Sequence, residues 1–480
     1  MQKKFILNLA FLLLLNLLIK PFYILGVDAE VLRQVGEEVY GNYFALISFS
    51  FLLNIFLDAG ITNFNTKNIA QYSHLLKKHF SNIIVVRLIL AFAYLIVISV
   101  AGFWLGYSQN QLMLLLVLGF NQVLVAFILY FRSNLAGLHL FVQDSVISVL
   151  DRIILIVFCG ILLWGNVTSE LFKIEWFVYG QTGAYMLTMF VAFVLVFRQS
   201  GGLKLSWNVP FSYMILKKSA PYALLVLLMS LYYRTDSVML ERMLPDGAYH
   251  AGVYAQGFRF FEAANMIAYL FAAMLLPIFS KMIKLKQAVE SLLRLSFKLL
   301  ISGATILGLT CYFYSRQILE FRYDVVSEQS VLSFGVLMLC FIAFCITYIY
   351  GTLLTANGSM KWLNILAAAG MVLNITLNLI FIPKYQAFGS ASASLVTQIL
   401  TAVIQVFIVH RVFNFAFDYR QSARFFIFIS GVVGIGLVSQ YFTSNWMNNM
   451  FLMLALCAAW GLLTKMIALR AVSAIFRYQA

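Results

Sequence analysis

The residues most able to do chemistry in this 480-residue chain are charged groups set inside long apolar runs. A charge facing hydrocarbon is costly, so such groups normally face a cavity or a partner. In the first run, Asn8, Asn16 and Lys20 recur at multiples of four and share one helix face. Further on, Ser230, Arg234, Ser237 and Glu241 step by 4, 3 and 4, and Gln256, Arg259, Glu262 and Asn265 step by three. Each set is a polar stripe on an otherwise apolar helix, and together they put the cations Lys20, Arg234 and Arg259 on three different helices. Bland readings stand beside this one. Arg259 and Glu262 are close enough in sequence to pair with each other. Lys20 and Arg234 lie late in their runs, where a long side chain can snorkel to the interface. Asp236 is either a proton or cation site or a contact to a neighbouring helix. Asp58, in Asp58-Ala59-Gly60, closes the second run as gate or scaffold chemistry.

The elements carrying these residues must be membrane helices. The chain is 62% hydrophobic and only 11% charged, whereas a soluble domain carries roughly 25% charged residues. Its apolar runs are about 20 residues long, enough to cross a ~30 Å hydrocarbon layer. They lack the alternation of barrel strands. Tiling the chain gives about fourteen spans, from 5–26 to 448–467. The first run lacks a small-residue cleavage pattern and is interrupted by Lys20-Pro21, so it is expected to be a retained helix rather than a leader. Pro21 and Pro221 mark bends, and Asn374 and Asn378 suit a helix–helix hydrogen bond.

The net charge of +15 does not point to nucleic acid. Lys and Arg gather in alternate connections, which places both termini in the cytoplasm. The five cysteines lie inside apolar runs, and the five histidines lack metal-ligand spacing. No phosphate-cradling loop or large acidic loop is present, so the chain reads as a non-enzyme without cofactor or metal. A weak internal repeat is visible. Gly41-Asn42-Tyr43-Phe44-Ala45 is echoed by Gly252-Val253-Tyr254-Ala255, and Leu135-Ala136-Gly137 by Thr355-Ala356-Asn357-Gly358. The offset of roughly 210–220 residues is about six spans, an even number, which suits parallel repeats about an axis normal to the membrane.

Several stretches, in order, resemble a known family. They are Leu57-Asp58-Ala59-Gly60-Ile61, Tyr233-Arg234-Thr235-Asp236-Ser237, Gly252-Val253-Tyr254 through Pro277, and Asn374-Ile375-Thr376-Leu377-Asn378 through Pro383 with Gly389-Ser390-Ala391. The chain resembles the polysaccharide-transport branch of the multidrug/oligosaccharidyl-lipid/polysaccharide exporter superfamily.

That resemblance implies an all-α polytopic fold of V-shaped, MATE-like form. It implies two lobes of about six spans each, over 1–205 and 206–418, with two extra helices and a tail over 419–480. The implied function is flipping of undecaprenyl-pyrophosphate-linked oligosaccharide units (O-antigen, capsule or exopolysaccharide) across the bacterial inner membrane by alternating access. Lys20, Arg234 and Arg259 would then hold the pyrophosphate in a central cationic cavity. Asn16, Ser237, Gln256 and Asn265 would be its polar lining, and Asp58, Asp236 and Glu262 coupling or gate groups for H+ or Na+. Expected partners are the lipid-linked oligosaccharide, membrane lipids, a glycan polymerase and a chain-length regulator, with no nucleic acid and a monomeric state. One departure stands out. Peptidoglycan-precursor flippases of the superfamily tend to carry an Arg-Asp pair in the first span, where this chain has Lys20-Pro21. A drug/cation antiporter of the same fold is the other alternative, and it predicts a cavity dominated by acids. A glycan-assembly enzyme or scaffold that transports nothing is a third.

Overall fold

A computed structural model describes residues 14–62, 65–66, 69, 75–138, 140–165, 170–200, 202, 208–416 and 418–467. Helices are the regular structure throughout, with no strand among the described residues. This follows from the medium, because a backbone in hydrocarbon must satisfy its own polar groups and a helix does so within one segment. In chain order, α1 is helical over 14–35. It contains a π-helical turn at Tyr23–Asp28 and continues through Ala29–Val35. Next come α2 (Glu37–Leu52), the short α3 (Ile55–Asp58), α4 (Leu75–Trp104), α5 (Gln109–Gly137), α6 (Phe141–Trp164), α7 (Ile174–Ser200) and α8 (Val209–Met243). After these are α9 (Gly247–Lys284), α10 (Glu290–Phe313), α11 (Ser315–Arg322), α12 (Glu328–Ala356), α13 (Met360–Phe413), α14 (Tyr419–Ser439) and α15 (Trp446–Leu463).

Among the described residues, 11 helices are long and apolar enough to cross a membrane. The expected fourteen are not reached by this measure. The difference arises at α1, α2 and α13. Helix α2 has 16 residues, and α1 is described only in part. Helix α13 runs for 54 residues, with a break at Gln386 (φ 53°, ψ −130°). At ~1.5 Å per residue it is far too long for one crossing. Asn374 Nδ2 donates to Ser394 Oγ at 3.3 Å, and Gly370 lies beside Thr397 and Thr401. The two arms therefore fold back on each other as a hairpin, which supplies the two spans read at 362–382 and 388–410.

The chain forms two compact units, the first ending at Gly252 and the second beginning at Val253, within α9. In the first, α5 packs against α2, α4, α6 and α7, and α8 packs along α2. Phe80, Tyr130, Phe131 and Phe193 interleave where α4, α5 and α7 meet. The closest crossing joins α2 to the first turns of α9. A Cβ added at Gly41 would run into the Ala248 carbonyl and the Gly252 nitrogen, and one at Gly252 into the Glu37 carbonyl. Only glycine permits that approach. In the second unit, α12 packs against α10 and α13, while α14 and α15 pack together on α10. Phe428, Val432, Met453 and Cys457 bury that seam.

Candidate functional site

The π turn sets the geometry of α1. Pro21 has no N–H to offer the preceding turn, and the widened turn follows directly, as π-bulges often do near functional groups. Lys20 precedes this turn, and Tyr23 stands on it. The polar face of α1 lies against α6, where Asn16 Nδ2 donates to Ser148 Oγ at 3.0 Å. Lys20 lies in the electrostatic field of Arg132 on α5 and of Arg152, Asp151 and Asp144 on α6.

Each arginine of this cluster is oriented by a partner. Arg132 Nε donates to Asp144 Oδ1 at 2.7 Å. An Arg152 guanidinium N–H donates to the Tyr185 hydroxyl at 3.1 Å. Arg152 Nε is 3.6 Å from Asp151 Oδ2, and its guanidinium sits 4.6 Å from the Tyr23 ring centre. Lys20 itself forms no ion pair among the described residues. Lys20, Arg132 and Arg152 thus stand together with Asp144 and Asp151, and the buried Asp28 acts on Tyr23 and Tyr185 beside them. Each guanidinium has five N–H donors in a fixed fork, so both retain donors for an anionic group.

The remaining expected site residues fall in three places. Arg234, on α8, is half-buried with its guanidinium 4.8 Å from the Phe51 ring and 5.3 Å from the Tyr233 ring. Ser237 Oγ donates to the Arg234 carbonyl at 3.2 Å, and Asp236 is buried. Arg234 is not among the charged groups acting on Lys20. Arg259 and Glu262 belong to the second unit and bind each other at 2.7 Å, the local pairing their spacing allowed. Gln256 Nε2 donates to the Val325 carbonyl at 3.1 Å, and Asn265 is buried. Asp58 is scaffold. Its carboxylate binds Arg87 and the Thr62 hydroxyl, and it accepts the Thr62 backbone N–H at 3.2 Å. Arg87, 2% exposed, also donates to the Ala126 carbonyl at 2.9 Å and faces the Tyr130 ring. Asn8 lies outside the described residues.

Arg132, Arg152, Asp144 and Asp151 are functional candidates that the polar-stripe argument missed. The signal was present, because Asp151-Arg152 interrupts the apolar run Val146 to Phe158. An ionisable pair inside a span is a site hypothesis by default.

Comparison with known proteins places this geometry. Residues 7–283, more than half the chain, match the family described as Polysaccharide biosynthesis protein. The chain belongs to that family. Every residue of the Lys20 cluster lies in the matched region, as do Arg234 and Arg259. An uncharacterized membrane protein of Methanocaldococcus jannaschii is 23% identical over 390 residues, 79% of this chain and 91% of that protein. Among solved structures, the Lipid II flippase MurJ in an inward closed conformation superposes with a TM-score of 0.71 at 17% identity, covering 96% of this chain and 97% of that one. A MOP superfamily transporter from Pyrococcus furiosus gives 0.59 at 15% identity, covering 85% and 95%. An inward-facing multidrug resistance MATE transporter gives 0.58 at 15% identity, covering 84% and 95%. This family member therefore has the MATE-like fold that the motif order implied.

Proposed function

We propose that this polysaccharide biosynthesis family member is a flippase. It moves undecaprenyl-pyrophosphate-linked oligosaccharide units, of O-antigen, capsule or exopolysaccharide, from the inner to the outer leaflet of the bacterial inner membrane by alternating access. The observation that carries this reading is the Lys20 cluster, an unpaired ammonium beside two partly engaged guanidinium groups within the membrane-crossing part of the first unit. A diphosphate cannot enter hydrocarbon without losing its water shell. Lys20 supplies a point charge, and the forks of Arg132 and Arg152 supply directed charge-assisted hydrogen bonds. Asp144 and Asp151 moderate the attraction, which suits a carrier that must release its cargo.

A drug or cation antiporter would need acids to dominate, and the charged groups acting most strongly on Lys20 are the cations Arg132 and Arg152. In the proposed cycle Arg234 adds a cation in the first unit, Arg259 acts in the second, and the buried Asp236 takes the coupling H+ or Na+. The protein works as a monomer with both termini in the cytoplasm, supplying a glycan polymerase and its chain-length regulator.

The test is genetic and chemical. Lys20→Ala and Arg152→Ala are each expected to cut surface glycan at least about ten-fold, with protein level unchanged and the lipid-linked unit accumulating. Wild-type glycan in both variants sinks the assignment. Deletion of the gene followed by mass analysis of the accumulated lipid identifies the unit. Accumulation of a peptidoglycan precursor would reassign the substrate.

A further inference from the structure

The second unit contains a cavity of about 350 Å³ between α10, α12, α13 and α14. Its body is apolar, walled by Phe297, Val403, Phe407 and Phe425, and its mouth is ringed by Glu290, Arg294 and Asp418. The deepest wall residues are Ala343 and Ile399, 13 and 14 residues before the ends of α12 and α13 at Ala356 and Phe413. At ~1.5 Å per residue the cavity penetrates about 20 Å from the helix ends. That is about half of the ~40–45 Å that a bilayer spans with its headgroup regions. All four walls are helices apolar enough to cross a membrane, and Val403 and Phe407 are exposed at the rim.

The mouth has a charge imbalance. Arg294 binds Glu290 at 2.6 Å and also Asp418, so one guanidinium serves both acids. The Gln421 backbone N–H and the Arg294 guanidinium hold the Asp418 carboxyl below its usual range, keeping it anionic and engaged. Lys298, one turn beyond Arg294, lies in the field of Arg424 on α14 and of Asp418 and Arg294 at the mouth. Neither Lys298 nor Arg424 has an ion-pair partner among the described residues. Three cations, Arg294, Lys298 and Arg424, therefore meet the two acids Glu290 and Asp418 near the mouth of the apolar slot, an excess of one positive charge.

We propose that this cavity is a binding site for an anionic glycerophospholipid, with one acyl chain in the slot and the phosphate between Lys298 and Arg424. The slot's depth favours a leaflet lipid over a longer polyprenyl chain, and the unpaired cations favour an anionic head group. The proposal does not rest on the flippase reading, since it concerns binding alone and uses residues beyond the family-matched region.

Native mass spectrometry of the full-length purified protein tests it, with phosphatidylglycerol and phosphatidylethanolamine as probes. Wild-type protein is expected to prefer phosphatidylglycerol by about ten- to thirty-fold, given ~1 kcal/mol per cation near an anionic lipid. The double variant Lys298→Gln/Arg424→Gln should bring that preference to within about three-fold. Filling the slot through Val403→Trp should abolish retention of both lipids, and Ile399→Trp repeats this test should the first variant fold poorly. Val372→Trp, an exposed position outside the slot, should leave binding unchanged. Equal retention of both lipids by wild-type protein overturns the proposal. So does undiminished phosphatidylglycerol binding by both slot-filling variants. Competitive displacement of phosphatidylglycerol by a polyprenyl phosphate would assign the slot to the isoprenoid tail and overturn the choice of lipid.

Discussion

Lys20 and Arg152 are cations of one cluster with different physical roles. Lys20 is a flexible point charge without an ion pair, so Lys20→Arg should retain much of the activity. Arg152 is held by the Tyr23 face, the Tyr185 hydroxyl and Asp151, and an ammonium cannot occupy that fork geometry. Arg152→Lys should therefore slow translocation of lipid-linked oligosaccharide into vesicles by about ten-fold, equivalent to about 1–2 kcal/mol of lost cation–π and hydrogen-bond energy. Similar rates for the two variants would contradict the distinction. A different outcome belongs to Arg87, which is buried against Asp58 and is not among the charged groups acting on Lys20. Arg87→Ala leaves that carboxylate without its guanidinium, and Asp58 keeps 31% of its side chain exposed. The expected loss is about 2–4 kcal/mol, seen as a lower melting temperature of the purified protein. Lys20 was legible in the sequence because its spacing from Asn16 marks one helix face. The Arg259–Glu262 pair was legible for the same local reason. The Arg87–Asp58 bond joins residues 29 positions apart on different helices, and no periodicity reports such a contact. Arg152 was visible as part of an ionisable pair inside an apolar run, but it has no polar stripe at helical spacing to mark its face.

Single elements differ in how much substitution they tolerate, and two glycines separate the cases. Helix α2 crosses the first turns of α9 at Gly41, where a side chain has only backbone to displace. Gly41→Val is expected to destabilise the purified protein by about 1–3 kcal/mol or more through overpacking. Gly303 on α10 has open space around its missing Cβ. Gly303→Ala should therefore be neutral or gain up to about 1 kcal/mol from helix propensity. Thermal unfolding of the two variants in the same detergent is the comparison, and equal shifts would discredit the crossing. Helix existence was readable from apolar length alone, as at α5, α10 and α12. The π turn of α1 was only hinted at by Pro21, and the hairpin of α13 was visible as two spans around Pro383. The residue that breaks the helix there is Gln386, whose positive φ no sequence rule would choose.

Across the whole molecule, charge asymmetry makes a topological prediction. The end of α9 and the connection after it carry Lys281, Lys284 and Lys286 with no acid before Glu290, while the segment from α11 to the start of α12 carries only Arg316 and Arg322, beside Glu320, Asp324 and Glu328. The positive-inside rule puts the first in the cytoplasm and the second outside. Gln287→Cys should be labelled by an impermeant maleimide only in inside-out vesicles, and Val325→Cys only in intact cells. Background should be low, since four of the five native cysteines are buried. The reverse pattern would invert the proposed transport direction. The division of the chain at Gly252 was not legible, because it falls inside a continuous helix where composition does not change. That glycine carries one more implication. The space a side chain would take at Gly41 is held by the Ala248 carbonyl and the Gly252 nitrogen, and the space at Gly252 by the Glu37 carbonyl. A larger residue at either position would push the same two backbones apart, so the pair sets one limit on how near α2 can lie to the start of α9.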